Sequence, residues 1–256
     1  MRWRALTRDV SPSLADCELS FLDREPIDVP RAVAQHQAYC DALSALGLDV
    51  VRLPADSSLP DCCFVEDTAV VVDEVAVMTS MGAPSRRGEL PAIEAALAHD
   101  RPIARVTLPA RLDGGDVLIV GRRVFVGRSD RSDDAGAAAL ALALRPYGYR
   151  VTQVPVTGCL HLKSAVTALD PETLLVNRAW IDAAPLAGFH LVDVDPEEPA
   201  AANVLVLGGR VLWHAGFTRT HARVEDRGYT VQLVDVSEFL KAEAGVTCKS
   251  IVYTIP

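Results

Sequence analysis

Four short hairpin turns recur along the chain, at Asp73-Glu74, Gly121-Arg122, Asp170-Pro171 and Gly208-Gly209. They are 48, 49 and 38 residues apart. A period of that size marks a repeat architecture, in which each module buries its apolar face against its neighbours. A helix and a strand precede each hairpin. In the first module Asp28 reads as an N-cap and Pro30 as an early helical position. Ala34, Ala38, Ala42, Ala45 and Leu46 follow at helical spacing, and Gly47 stops the run. A strand over 48–53 ends at Pro54, and hairpin strands follow over 64–72 and 75–79. The second module has a helix over 85–99 opening at Ser85, a strand over 105–108 and a hairpin over 117–127. The third has a helix from about 133 to 147 and a strand over 149–154. The fourth has a degraded helix near 179–188, a strand over 189–194 and a hairpin over 204–214. The fifth has a helix near 218–227, a strand over 229–234, a short helix near 237–243 and a strand near 250–254.

Five such modules close into a ring. The last strand lacks a partner in its own module, and an alternating run over 2–8 is free to pair with it. That pairing leaves no exposed edge. The expectation is an α/β fold of one domain over 1–256, a five-bladed propeller. An ordinary open α/β sheet does not explain a hairpin after every helix–strand pair.

Half of the 256 residues are hydrophobic and the net charge is −9. An acidic chain is a poor binder of nucleic acid phosphates and suits a cationic small molecule better. The first residues lack an apolar signal core, and the Ala/Leu-rich stretch over 135–144 is too short to span a membrane. The six cysteines form no C-x-x-C pair. That pattern excludes a disulfide framework or structural zinc and fits a reducing cytoplasm. The irregular segment over 10–28 reads either as a functional lid or as a plain surface connection.

In a ring, equivalent positions face one central space. The hairpin entrances carry Glu66 and Asp67, Asp113 and Asp116, His161 with Lys163, Asn203, and Cys248. Each has an ordinary alternative: Asp113-Gly114-Gly115-Asp116 suits a turn, and His161 suits a core position. Together they suggest a site. A cysteine and a histidine in one cavity suit nucleophilic catalysis, with the histidine moving the proton and an acid such as Asp113 orienting it. Asp61, Glu66 and Asp67 add negative charge, which a cationic substrate would balance. A metal would do the same, but no spaced His/Cys ligand set accompanies these acids. Arg86 and Arg131 open module helices, where a basic residue opposes the dipole. A bidentate grip on a carboxylate explains that placement. Carboxylates at one end and arginines at the other describe a pocket for an amino acid resembling arginine.

The segments Leu53-Pro54-Ala55-Asp56-Ser57-Ser58-Leu59-Pro60-Asp61-Cys62-Cys63-Phe64-Val65-Glu66-Asp67, Gly82-Ala83-Pro84-Ser85-Arg86-Arg87, Leu112-Asp113-Gly114-Gly115-Asp116-Val117-Leu118, Leu160-His161-Leu162-Lys163-Ser164 and Thr247-Cys248 resemble the dimethylargininase family. These are the dimethylarginine dimethylaminohydrolases of the pentein, or guanidine-modifying, superfamily. The resemblance runs in order across nearly the whole chain. It implies the five-bladed αβ-propeller and hydrolysis of Nω-methylated arginines to citrulline and a methylamine. It implies Cys248 as the nucleophile, His161 as the proton carrier and Asp113 as its support. It also implies Asp61, Glu66 and Asp67 at the guanidinium and Arg86 and Arg131 at the α-carboxylate. Leu19 matches a lid position, and Ala242 with Glu243 a second main-chain contact. Asp113 stands where other members carry glutamate, and Ala242 and Glu243 replace somewhat different residues. No cofactor is implied, and the oligomeric state, monomer or homodimer, stays open. Rival readings are arginine deiminase or amidinotransferase activity, both in usually larger chains. A third, noncatalytic reading is a binding scaffold, which has no need to keep cysteine, histidine and acid together.

Overall fold

The computed structural model describes residues 2–255; Met1 and Pro256, the ends of the expected domain, lie outside them. In chain order the elements begin with β1 (Arg2–Arg8), α1 (Val29–Ala45), β2 (Asp49–Leu53), β3 (Ala69–Val71), β4 (Ala76–Met78), α2 (Leu90–Leu97) and β5 (Ile103–Arg105). Then come β6 (Val117–Val120), β7 (Arg123–Arg128), α3 (Asp134–Leu144), β8 (Arg150–Pro155), α4 (Leu162–Ala165), β9 (Val166–Ala168), β10 (Thr173–Val176) and β11 (His190–Asp193). The chain ends with β12 (Leu205–Leu207), β13 (Arg210–His214), α5 (Thr218–Glu225), β14 (Thr230–Val234), α6 (Ser237–Leu240) and β15 (Ile251–Ile255).

Local chemistry accounts for several boundaries. The Asp28 side chain accepts from the Arg31 amide, and Pro30 sits in the first turn of α1. Asp133 caps α3 in the same way through Gly136. All four expected hairpin turns form, and Gly121, Gly208 and Gly209 adopt the positive φ their turns require. Several expectations shift. The helix expected near 179–188 is a 3₁₀ turn over Ala184–Leu186, and the hairpin strand expected over 64–72 is confined to Ala69–Val71 after a 3₁₀ turn over Val65–Thr68. Residues Pro84–Glu89 form 3₁₀ turns before α2 begins at Leu90, and the Ser85 hydroxyl turns away to Glu18. The strand expected over 105–108 lies at 103–105, because its partner β4 ends at Met78, which pairs with Arg105.

The strands form five three-stranded sheets. Each of the four internal sheets joins a hairpin antiparallel and adds the strand that follows it in parallel, as in β3-β4-β5. A blade is therefore hairpin, connection, strand. The repeat is the expected one, permuted by one strand. The fifth sheet has the order β15-β1-β2. Its antiparallel pair runs from Arg2 opposite Ile255 to Leu6 opposite Ile251, so the two ends of the described chain close the ring as expected. Side chains of the innermost strands β3, β6, β9, β12 and β15 line one channel of about 550 Å³. Five apolar clusters fill the spaces among the sheets and the outer helices. No helix among the described residues is long and apolar enough to cross a membrane.

Immediately before each innermost strand the chain makes one helical turn or a little less: Val65–Thr68, Gly114–Asp116, Leu162–Ala165, Pro199–Ala202 and Thr247–Lys249. These five turns carry the polar residues singled out above, and they are stitched together around the axis. The Gly115 amide donates to Asp67 at 3.0 Å, and the Leu162 amide to Asp116 at 2.9 Å. Asn203 donates to the Lys163 carbonyl at 2.9 Å and accepts from the Thr247 amide at 3.0 Å. The Thr247 hydroxyl donates to Glu66 at 2.6 Å and closes the circuit. Backbones approach closely here. A Cβ on Gly114 would lie 2.0 Å from the Glu66 carbonyl oxygen. Gly114→Ala is therefore expected to destabilise the fold by about 2–3 kcal/mol through overpacking against backbone, read as a lower urea midpoint at unchanged slope.

Candidate active site

Cys248 occupies the last of the five turns, with its residue 9% exposed. The turn aims the sulfur back at its own chain, and the Gly245 amide donates to Sγ at 3.3 Å. Burial, with Glu66 and Asp67 adding to it, pushes the thiol up to about 12. At neutral pH the resting group is a thiol.

His161 is buried between two carboxylates. Nε2 lies 3.1 Å from Asp113 Oδ2 and Nδ1 lies 3.6 Å from Asp67 Oδ1. Burial lowers its proton affinity. Asp67, the hydrogen bond to Asp113 and the nearby Asp116 outweigh that and raise it to about 9. The imidazole is thus a cation at neutral pH, with Nε2 donating to Asp113 and Nδ1 in ion-pair range of Asp67. Asp113 is held in turn by the Gly82 amide at 2.7 Å. A side chain at Gly115 would collide with this ring, since its Cβ would lie 2.6 Å from Nδ1. The two glycines after Asp113 therefore serve close approach as well as the turn.

Burial opposes ionisation of Asp67, but His161 and Arg86 overcome it and hold the carboxyl down at about 2. Glu66 is paired at both oxygens, with Lys163 Nζ at 2.7 Å and the Thr247 hydroxyl at 2.6 Å. That pairing joins the histidine-bearing turn to the cysteine-bearing turn. Asp116 is fully buried, accepts from Ser129 and Ser132 at 2.6 Å each, and is raised by burial to about 6. It ties the loop of Arg131 to the turn after His161.

Arg86 departs from expectation. Its guanidinium is buried and makes four hydrogen bonds: to Asp67, to the Phe64 carbonyl and two to Glu89. It neutralises two buried acids and does not present an open fork to a carboxylate. Arg131 has donors to spare: among the described residues its Nη2 meets only the Ser20 hydroxyl at 3.2 Å, and its buried Nη1 has no partner.

The segment over 10–28 folds over this side. The Asp61 carboxylate, raised by burial, accepts from the Glu18 amide at 3.1 Å. Leu19 is half-buried against the apolar cluster around Cys248. Ala242 is buried beyond α6. Glu243 adopts a positive φ of 57°, a costly conformation for a residue with a side chain. Its carboxylate accepts from the successive amides of Ser20, Phe21 and Leu22 at 2.5 to 3.1 Å. Glu243 thus fastens the 10–28 segment, a side-chain role that its position in the sequence did not suggest.

The sequence predicts a cavity of acids in need of an outside cation. The fold supplies five cations of its own, Arg86, Arg131, Lys163, Lys249 and protonated His161, against Asp61, Glu66, Asp67, Glu89, Asp113 and Asp116. Negative charge stays in excess by one. Oxygens of Asp67 and Asp113 and a nitrogen of His161 lie within 4.8 Å of one another, a spacing open to a metal ion, but the imidazolium already provides positive charge there. Glu89 and Lys249 are the buried charges that reading the sequence missed.

A ring of five small α/β blades with cysteine, histidine and acid on its axis defines the pentein class of guanidine-modifying proteins. Comparison narrows this. The family model described as N,N dimethylarginine dimethylhydrolase, eukaryotic, matches residues 21–178. A Streptomyces coelicolor protein named N(G),N(G)-dimethylarginine dimethylaminohydrolase is 41% identical over 249 residues, covering 97% of this chain and 96% of that one. Its Pseudomonas aeruginosa namesake is 33% identical over 226 residues, covering 88% and 89%. A solved structure of the Pseudomonas aeruginosa enzyme, a cysteine-to-serine mutant complexed with citrulline, superposes with a TM-score of 0.93 at 31% identity, covering 99% of this chain and all of that one. The chain belongs to the dimethylarginine dimethylaminohydrolase family.

Two outcomes follow from the geometry. The His161 ring is expected to titrate near pH 9 by NMR, and Asp67→Asn to bring that value down toward the ordinary 6.5. Because the folded value lies above the unfolded one, the stability this histidine contributes is complete below about pH 6.5 and is lost as pH rises through about 9. Glu243→Ala is expected to speed amide hydrogen exchange over 20–22 by roughly tenfold or more, the loss of charge-assisted bonds of about 1.5–3 kcal/mol; unchanged exchange would show that the segment does not need this carboxylate.

Proposed function

We propose that this protein hydrolyses Nω-methylated arginines to citrulline and methylamine or dimethylamine. The observation that carries the proposal is the buried imidazolium of His161, fixed between Asp67 and Asp113 and joined through Glu66 to the turn bearing Cys248. Membership in a family whose named members are dimethylarginine dimethylaminohydrolases supports the substrate class.

In this reading the substrate guanidinium settles against the excess negative charge, with Asp67 and Asp61 accepting from its nitrogens. Ionised carboxylate oxygens have lone pairs to share beyond the bonds already made. Glu66 acts from behind, positioning the floor of the site, and Arg86 anchors Asp67. Arg131 binds the α-carboxylate, and Leu19 with Ala242 and Glu243 shape the end that holds the amino group. The arriving cation favours loss of the thiol proton to solvent. The Cys248 thiolate then attacks the guanidinium carbon and forms a C–S bond. The bond from that carbon to the methylated nitrogen breaks, and His161 gives its proton to the departing amine. Water next attacks the thiouronium carbon and returns a proton to His161. The C–S bond breaks as the hydroxyl proton passes to the departing sulfur, leaving citrulline and the Cys248 thiol. Asp113 keeps the imidazole in place through both transfers. Neither step calls on a cofactor.

All six cysteines are unpaired in the structure, which supports a reducing compartment, and the cytoplasm is the proposed location. A single domain over the whole chain is proposed on the same footing, since β1 and β15 share a sheet.

The deciding measurement supplies dimethylarginine, monomethylarginine and arginine separately and quantifies citrulline and the released amine. Citrulline with stoichiometric dimethylamine from dimethylarginine, and at least tenfold less product from arginine, is expected. Ammonia and citrulline from arginine in preference would favour the deiminase reading, and no product from any of them the noncatalytic one. Cys248→Ser is expected to abolish turnover at unchanged melting temperature. His161→Gly is expected to lower it by about 10²–10⁴, the usual worth of a positioned proton carrier.

A further inference from the structure

Lys249 follows the proposed nucleophile directly, and its residue is fully buried. A buried ammonium is unfavourable unless its donors are met and its charge has a use. Its surroundings are specific. Nζ donates to the Gly245 carbonyl at 2.9 Å. It also lies 4.5 Å from the centre of the Tyr39 ring and 5.0 Å from that of Phe239. Aromatic faces attract a cation at such distances, most strongly where water is excluded. The Tyr39 ring is itself fixed by a 2.7 Å hydrogen bond between its hydroxyl and Ser250. The amine is thus caged by two rings and one carbonyl. That carbonyl belongs to Gly245, the residue whose amide donates to Cys248 Sγ.

We propose that Lys249 is a positioning residue for the Cys248 thiolate. It pins Gly245, whose amide faces the sulfur, and it holds a positive charge inside the core beside the group that must become negative. The inference rests on Cys248 being the nucleophile. Its central readout, the titration of the thiol, needs no substrate and stands apart from turnover.

The charges around the pair are few. The Cys248 sulfur feels Glu66 and Asp67, which oppose ionisation, and Lys249, which favours it. The amine feels Cys248, Cys63, Cys40 and Glu66, and it acts in turn on His36 of α1 and His214 of β13. Burial lowers the amine and a thiolate at Cys248 raises it, leaving it at about 8. The two groups therefore favour each other's charged forms. Around pH 7 the amine is protonated and the support is present; it fades as pH rises past about 8.

The test follows Cys248 ionisation against pH in the native protein, in Lys249→Met and in Lys249→Gln. Thiolate absorbance and the rate of iodoacetamide labelling of the Cys248 peptide are the readouts. Methionine removes charge and hydrogen bond; glutamine removes the charge and retains a donor. Both variants are expected to slow labelling of Cys248 about tenfold at pH 7, where the native amine is charged, with the difference fading above about pH 8. The value of kcat at pH 7 is expected to fall with it while KM changes little. Labelling profiles superposing on the native one overturn the proposal. So does reduced turnover with unchanged labelling at pH 7, which would leave Lys249 a packing role only. If the methionine variant fails to fold, the glutamine variant decides alone.

Discussion

The site exists because five separate turns are tied to one another through side chains rather than through strands. Strand pairing stays within each blade; what crosses between blades at the axis is a sequence of single hydrogen bonds, from Gly115 to Asp67, Leu162 to Asp116, Asn203 to Lys163, Thr247 to Asn203 and Thr247 to Glu66. Each buried partner would be costly to leave unmet. The same residues thus set the spacing of the blades and the positions of the reacting groups. The close backbone contacts at Gly114 and Gly115 follow from that requirement.

Charge is ordered by the same circuit. Asp67 lies between Arg86 and His161, and this single placement holds its own carboxyl ionised and the imidazole protonated. Each group opposes the effect of burial on the other. Among charged groups the thiol has only Lys249 to favour its ionisation, against burial, Glu66 and Asp67, and stays neutral until a further cation arrives. Such a division, with the imidazole charged and the thiol neutral, suits a substrate that brings its own positive charge.

Much of this was legible in the residues. Hairpin turns depend on a few local residues, so the repeat, the ring and the closing pair β1–β15 could be read directly. The polar residues at the hairpin entrances then pointed at one axis. Blade membership was not legible, because the third strand of each sheet joins across a connection and local pattern carries no pairing partner. The role of Arg86 was hidden for a similar reason: its distant partner Asp67 becomes visible only in three dimensions, although Glu89 stands three residues away. Glu243 gives no local sign of its positive φ. Lys249 did leave a trace, a lone lysine inside the apolar run from Val246 to Tyr253 in a chain that otherwise prefers arginine.

The closing blade has a consequence for how the molecule is made. Arg2 pairs with Ile255, so the contact that closes the ring spans nearly the whole described chain. Contacts of such sequence separation are slow to form. Cys248 lies just before β15, so the pocket it shares with the other axial turns is complete only with that strand in place. Closing the ring and assembling the candidate site thus coincide.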